Sequence, residues 1–288
     1  MTNDLAPVRE SAWSIIDLLQ ANSWDAISKI SGEEVNQIVE KLCLHLNLVC
    51  RGVDSLLLDH SNECAAILMR SAFEATMRAA YIATSAPDEA SKLAQELAIT
   101  LPKTQNYRLQ KRAADVVSFS GAFSDNFAKV VFSRVEKDAK SAPSVLSKTE
   151  RNALDQKWAF TRILPKVEKS LCSLGFNFPL SPMLYDYGIC SNYLHADGIG
   201  LGLEADQATR SATVALLKLD AEAVKIYQNM IACWVIVHVG ILACSNSLSK
   251  FPLELLEMQS NFSKLANPIS ERFAGSQKEF YEGDHEPA

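Results

Sequence analysis

Glycine and proline are scarce in this chain, eleven and ten in 288 residues, and the shortage excludes a plan built on many tight turns, an all-β fold above all. Charge is missing altogether between Lys225 and Lys250, and the segment from Met230 to Cys244 (MIACWVIVHVGILAC) is almost wholly apolar. That dense core is shorter than the roughly 20 apolar residues that span a bilayer. It contains His238 and Gly240 and is flanked by Gln228, Asn229, Ser245 and Asn246, so a buried helix is favoured over a membrane span through 226–248. Positive charge is not in excess: the net charge is −6, which disfavours broad electrostatic binding to nucleic acid or anionic membranes and leaves room for a local basic groove.

Other absences narrow the chemistry. The seven cysteines (43, 50, 64, 172, 190, 233 and 244) include no C-x-x-C pair, and a disulfide framework or zinc site needs closer clustering. They are expected to be small buried hydrophobes in a reducing cytoplasm. The start, MTNDLAPVRE, lacks the basic and apolar regions of a secretory signal, so a cytoplasmic location is expected. There is no H-E-x-x-H, P-loop, G-x-G-x-x-G or G-x-S-x-G element. Neither a metal nor a cofactor is expected.

What remains is helix-forming sequence, 48% hydrophobic and 22% charged, and the expectation is all-α: a single multi-helix bundle domain over 1–288 with a frayed tail at 281–288. The first helix is expected over Leu5–Gln20. Ser31 and Glu34 have capping-box spacing for a second, and Asn62 is expected to cap a third that packs antiparallel to it. Pro87-Asp-Glu opens another. Basic residues from Lys103 to Lys140 fit two helices broken near Ser120–Gly121. Ser147/Glu150 is a second capping-box spacing, for a helix carrying Trp158 and Phe160, with Pro165 kinking it or starting the next. Ser181-Pro182 opens a helix that Asp197-Gly198 ends, and a glycine-rich loop follows. Asp220 is expected to cap the long apolar helix, and two amphipathic segments follow Pro252 and Pro268.

The segment Asn62–Ala83 (NECAAILMRSAFEATMRAAYIA) is apolar on nearly every side yet carries charge. Such a helix belongs in a core. At a 3.6-residue period Arg70 and Glu74 fall among Ile67, Phe73, Met77 and Tyr81, so they are expected to be buried as a pair. Glu74 also stands four residues before Arg78, within pairing reach. Two roles stay open: Arg70 as an anion clamp, through its fixed fork of donors, or Arg70–Glu74 as a structural pair setting helix register. His195 falls in the last turn of its helix, on the face of Leu184, Tyr187, Gly188 and Ser191. It suits a general acid or a phosphate contact there, or a structural hydrogen bond. Gly188 and Ser191 are small enough for another helix to approach. His238 is expected in the core, and Glu282/His285 lie in the polar tail.

Two segments together, Arg70-Ser71-Ala-Phe-Glu74 through Tyr81-Ile82 and Tyr187-Gly-Ile-Cys-Ser191-Asn-Tyr-Leu-His195-Ala, resemble the DUF5677 domain proteins, a poorly characterised bacterial family. The resemblance covers about residues 35–247. It implies an all-helical fold with Arg70, Glu74 and His195 gathered in the middle. Arg78, Tyr187 and Ser191, on the same helix faces, are candidate binding residues. A wider likeness is to HEPN-type helical proteins, several of which are ribonucleases in toxin–antitoxin and antiphage systems, with a site usually assembled across a dimer. Those sites use Arg and His on one helix, four to six residues apart. No such pair occurs here, so that chemistry requires Arg70 to reach His195 from another helix. The expected role is binding or regulation in stress or antiphage defence, with metal-independent RNA cleavage by His195 and Arg70 as the alternative. The expected partner is RNA or another protein, and the wider likeness implies a homodimer.

Overall fold

The computed structural model describes residues 4–105, 108–109, 112, 146–177, 179–195 and 211–282. Among the described residues there are nine α-helices and no strands, so the chain is an all-α helical domain. In chain order they are α1 (Leu5–Ile27), α2 (Glu33–Leu58), α3 (Asn62–Ala83), α4 (Pro87–Gln95), α5 (Lys148–Lys157), α6 (Phe160–Ser173), α7 (Ser181–His195), α8 (Ala212–Cys244) and α9 (Glu254–Glu282).

The centre is α3. A three-residue break joins it to α2 as a helical hairpin, and its other sides pack on α8, α7 and α6. Small residues make this crowding possible. Ala65, Ala72, Ala75, Ala79, Ala80 and Ala83 are all buried, and Gly240 of α8 lies where an added Cβ would stand 3.4 Å from Ala83 Cβ and 3.5 Å from Ala80 Cα. On its far side α8 meets α1 and α9. By length and composition α8 would cross a membrane, but 78% of its most apolar 18-residue window is buried inside the fold. Apolar side chains there cover other helices.

Local chemistry sets most helix starts. Pro87 occupies the first turn of α4 with Asp88 and Glu89 behind it, where the missing N–H costs nothing and the acids face the positive dipole end. The Ser147/Glu150 capping box closes as spaced: Ser147 Oγ accepts from Glu150 N–H at 3.2 Å, and Glu150 accepts from Ser147 N–H at 2.7 Å.

Elsewhere tertiary contact or backbone conformation overrode the local signal. Gly32, at φ +97°, takes the cap position of α2 in place of Ser31, because glycine holds that conformation without strain. Asn62 is the first residue of α3, not its cap; its amide donates to Leu219 O of α8 at 2.7 Å. Trp158 ends α5 and Phe160 begins a separate α6 that contains Pro165, because the Trp158 indole N–H is drawn to Glu96 at 2.6 Å. The start of α8 is Ser211, whose Oγ accepts from Val214 N–H at 3.4 Å, and Asp220 lies buried inside the helix. The region after Pro252 is one helix through Pro268 to Glu282, so 281–282 are helical while 283–288 lie outside the described residues. Also outside are the break at Ser120–Gly121, Asp197, the loop 198–202, His285 and most of the basic residues between Lys103 and Lys140.

Three elements are tied by a polar knot centred on the buried Asp54. Arg9 of α1 donates through Nε and Nη2 to both oxygens of Asp54 on α2, at 2.8 and 2.7 Å, and Tyr227 of α8 donates to Asp54 at 2.7 Å. Burial works to raise the Asp54 carboxyl, but the hydrogen bonds from Arg9 and Tyr227 outweigh it and hold the group below its ordinary value.

Candidate functional site

The centre forms where α7 crosses α3 in front of α6. Arg70, Glu74 and Arg78 lie one turn apart along one edge of α3, and α7 presents Tyr187, Ser191 and His195 at the same four-residue spacing. Two matched rows of side chains therefore face each other.

Arg70 is the hub. Its Nε–H donates to Tyr187 Oη at 3.2 Å, and its Nη1 lies 3.4 Å from both Ser191 Oγ and His195 Nε2. A guanidinium nitrogen only donates, so the last contact is a hydrogen bond when His195 is neutral with its proton on Nδ1. Tyr187 donates in turn to Glu74 Oε1 at 3.1 Å. Glu74 also pairs with Arg70 at 3.5 Å and with Arg78 at 3.1 Å. The Arg70 guanidinium lies 5.2 Å from the centre of the Tyr187 ring, and that ring stacks on Phe160 at 4.1 Å with an 11° tilt. Burial, then the Glu74 carboxylate, raise the Tyr187 phenol above its ordinary value.

The expected full burial of Arg70 and Glu74 is corrected by this geometry. Their side chains retain 23% and 28% of their exposure, and His195 is exposed. The reason is the bonding: both side chains turn towards the polar row of α7 and towards Arg78, and not into the apolar packing of α3 on α8. Gly188 is not a point of close helix approach either: a Cβ added there would meet no atom within 4 Å. His238 is separate from this group, fully buried with Nδ1 2.9 Å from Ser23 Oγ.

No protein-family model, curated protein or solved structure matches this chain. The chemistry of the centre has to speak for itself. One guanidinium, one imidazole and two hydroxyls converge at a half-open surface, a set suited to an oxyanion and, through the imidazole, to proton transfer. No three of the described His, Cys, Asp and Glu residues are grouped to hold a metal ion.

Several neighbours gave no signal in the sequence. Phe160 supports Tyr187 across 27 positions, and no local rule pairs residues that distant. Beside Arg70, Ser71 Oγ lies 3.0 Å from Nε2 of His45 on α2. A 210 Å³ cleft adjoins the centre, reached past Glu74 and Tyr187 and walled by Trp158, Phe160 and Asp155. The cysteines divide unevenly: all seven are unpaired, with Cys43, Cys50, Cys190 and Cys233 buried but Cys64 and Cys172 exposed.

Proposed function

We propose that the protein binds a phosphate-bearing ligand at the Arg70–Ser191–His195 centre and serves a binding or regulatory role, with RNA as the favoured partner. One observation carries the reading: Arg70 Nη1 is held 3.4 Å from a hydroxyl and 3.4 Å from an exposed imidazole, while its Nε is committed to Tyr187. The guanidinium is thus fixed in direction, and the Arg70 side chain keeps 23% of its exposure. Glu74 serves as the anchor that orients Arg70 and Arg78. Both arginines are charged, so an incoming phosphate meets two cations against one carboxylate. The likeness to HEPN-type proteins favours an RNA partner and a defence role, and the proposed location is the cytoplasm. Burial of α8 within the bundle supports a core helix over a membrane anchor.

A second reading, metal-independent RNA cleavage, is favoured by the contact between Arg70 and His195 across two helices. Neutral His195 would take the proton from a ribose 2′-hydroxyl as that oxygen attacks phosphorus. Arg70 would stabilise the charge on the phosphorane. The bond to the 5′-oxygen breaks, that oxygen receives the proton back from the His195 imidazolium, and a 2′,3′-cyclic phosphate remains.

Incubation of purified protein with labelled single-stranded RNA, read by anisotropy and by gel, separates the readings. Binding without cleavage, lost in a folded Arg70→Ala variant, supports the binding role. Cleavage lost in both Arg70→Ala and His195→Ala supports the nuclease. Neither binding nor cleavage by the wild type refutes both and leaves the centre a structural lock.

A further inference from the structure

The other side of α7 walls a second cavity, independent of the Arg70 centre. It has a volume of 360 Å³ and lies between the start of α3, the middle of α7 and the first half of α8. That size is in the range of small-molecule sites. Its walls are apolar and aromatic: Ala66, Ile189, Ile226, Tyr185, Tyr193 and Phe273. Polar groups enter at defined points. Asp186, only 7% exposed, pairs with Lys225 and accepts from Asn229 at 3.0 Å. Glu222 is held less closely, with Lys218 Nζ at 3.7 Å and Asn62 Nδ2 at 3.5 Å. Glu63 completes the acidic side.

Charge decides what this cavity would accept. Asp186, Glu222 and Glu63 supply three carboxylates, and Lys225 and Lys218 supply two ammonium groups, leaving one negative charge uncompensated among the described residues. The start of α3 and Lys225 would attract an anion, but Lys225 is spent on Asp186 and Glu63 stands in the first turn of α3. The wall already accommodates a cation, since Lys225 Nζ lies 5.5 Å from the centre of the Tyr185 ring. Burial, acting against the pull of Lys218, raises the Glu222 carboxyl above its ordinary value, as befits a carboxylate short of a close partner.

We propose that this cavity binds a small organic cation, an ammonium on an aromatic or hydrocarbon body, with Glu222 as its counter-ion and the apolar walls of α7 and α8 around the body. The ammonium supplies the missing positive charge next to Glu222, and the tyrosine rings add cation–π attraction.

The test is calorimetric titration and thermal melting of the full chain with phenethylamine and benzyltrimethylammonium, beside 2-phenylethanol and phenylacetate of similar shape. The expected result is saturable binding of the two cations with a raised Tm, and neither effect from the alcohol or the carboxylate. Glu222→Gln is expected to weaken cation binding roughly tenfold or more. Ala66→Phe, which fills the cavity, is expected to abolish it while the circular dichroism spectrum is unchanged; this variant decides the matter if Glu222→Gln fails to fold. Absence of saturable binding by both cations, equal binding of the alcohol, or undiminished binding in Ala66→Phe overturns the proposal.

Discussion

Acid should loosen this fold through one imidazole. His238 is fully buried on α8, its Nδ1 engaged with Ser23 of α1 and its Nε2 without a hydrogen-bond partner among the described residues. Burial lowers its pKa from 6.5 to about 4, so the folded protein keeps it neutral. The unfolded chain takes up the proton first as pH falls. The stability that goes with the neutral ring is therefore fully present above about pH 6.5 and is lost progressively as pH drops toward 4. At about 1.4 kcal/mol per pH unit, the full interval is worth about 3 kcal/mol, and about 2 kcal/mol of it is gone by pH 5. The assay is urea unfolding followed at 222 nm between pH 7.5 and pH 5, for the wild type and for His238→Gln. The glutamine preserves a polar group for Ser23 and removes the titration, while carboxylates elsewhere affect both proteins alike. The wild type is expected to be the more stable at pH 7.5, with its margin narrowing by about 2 kcal/mol at pH 5. Parallel curves would refute the reasoning, because they would mean that the ring is protonated in the folded state as readily as in the unfolded one.

Three other perturbations follow from the packing. Gly188→Ala has open space and should stabilise α7 by about 0.5–1 kcal/mol; Gly240→Ala places a methyl at ordinary contact distance, 3.4–3.6 Å from Ala83, Ala80 and Thr84, and is expected to give a smaller gain in α8 without overpacking the core. Chemical denaturation of both variants checks the contrast. Asp54→Ala leaves Arg9 and Tyr227 without their shared acceptor and is expected to cost about 1–3 kcal/mol, read as a fall in Tm larger than that of Arg272→Ala, an exposed ion-pair partner of Asp4. Thiol titration of the native protein should show Cys64 and Cys172 reacting fast, with Cys43, Cys190 and Cys233 slow, because burial pushes each of those three thiols up to about 12.

The sequence by itself determined the helical class, the α2–α3 hairpin, the Ser147 capping box and the Pro87 start. These follow from short-range physics: hydrophobic period, dipole and capping geometry. It also marked Arg70, Glu74, Arg78, Tyr187, Ser191 and His195, since residues one helical turn apart share an edge wherever that helix packs. Only the tertiary structure decided that the two rows meet, over separations of more than a hundred positions. It alone decided that the pair is only partly buried, that the 230–244 segment is core, that Asn62 bonds across to α8 instead of capping α3, and that Asp220 lies inside a helix. Each of these depends on which helix packs against which, and local propensity carries no information about a partner that distant in the chain. The cavity beside Glu222 belongs to the same category, because its walls come from four helices and no single segment of sequence contains its shape.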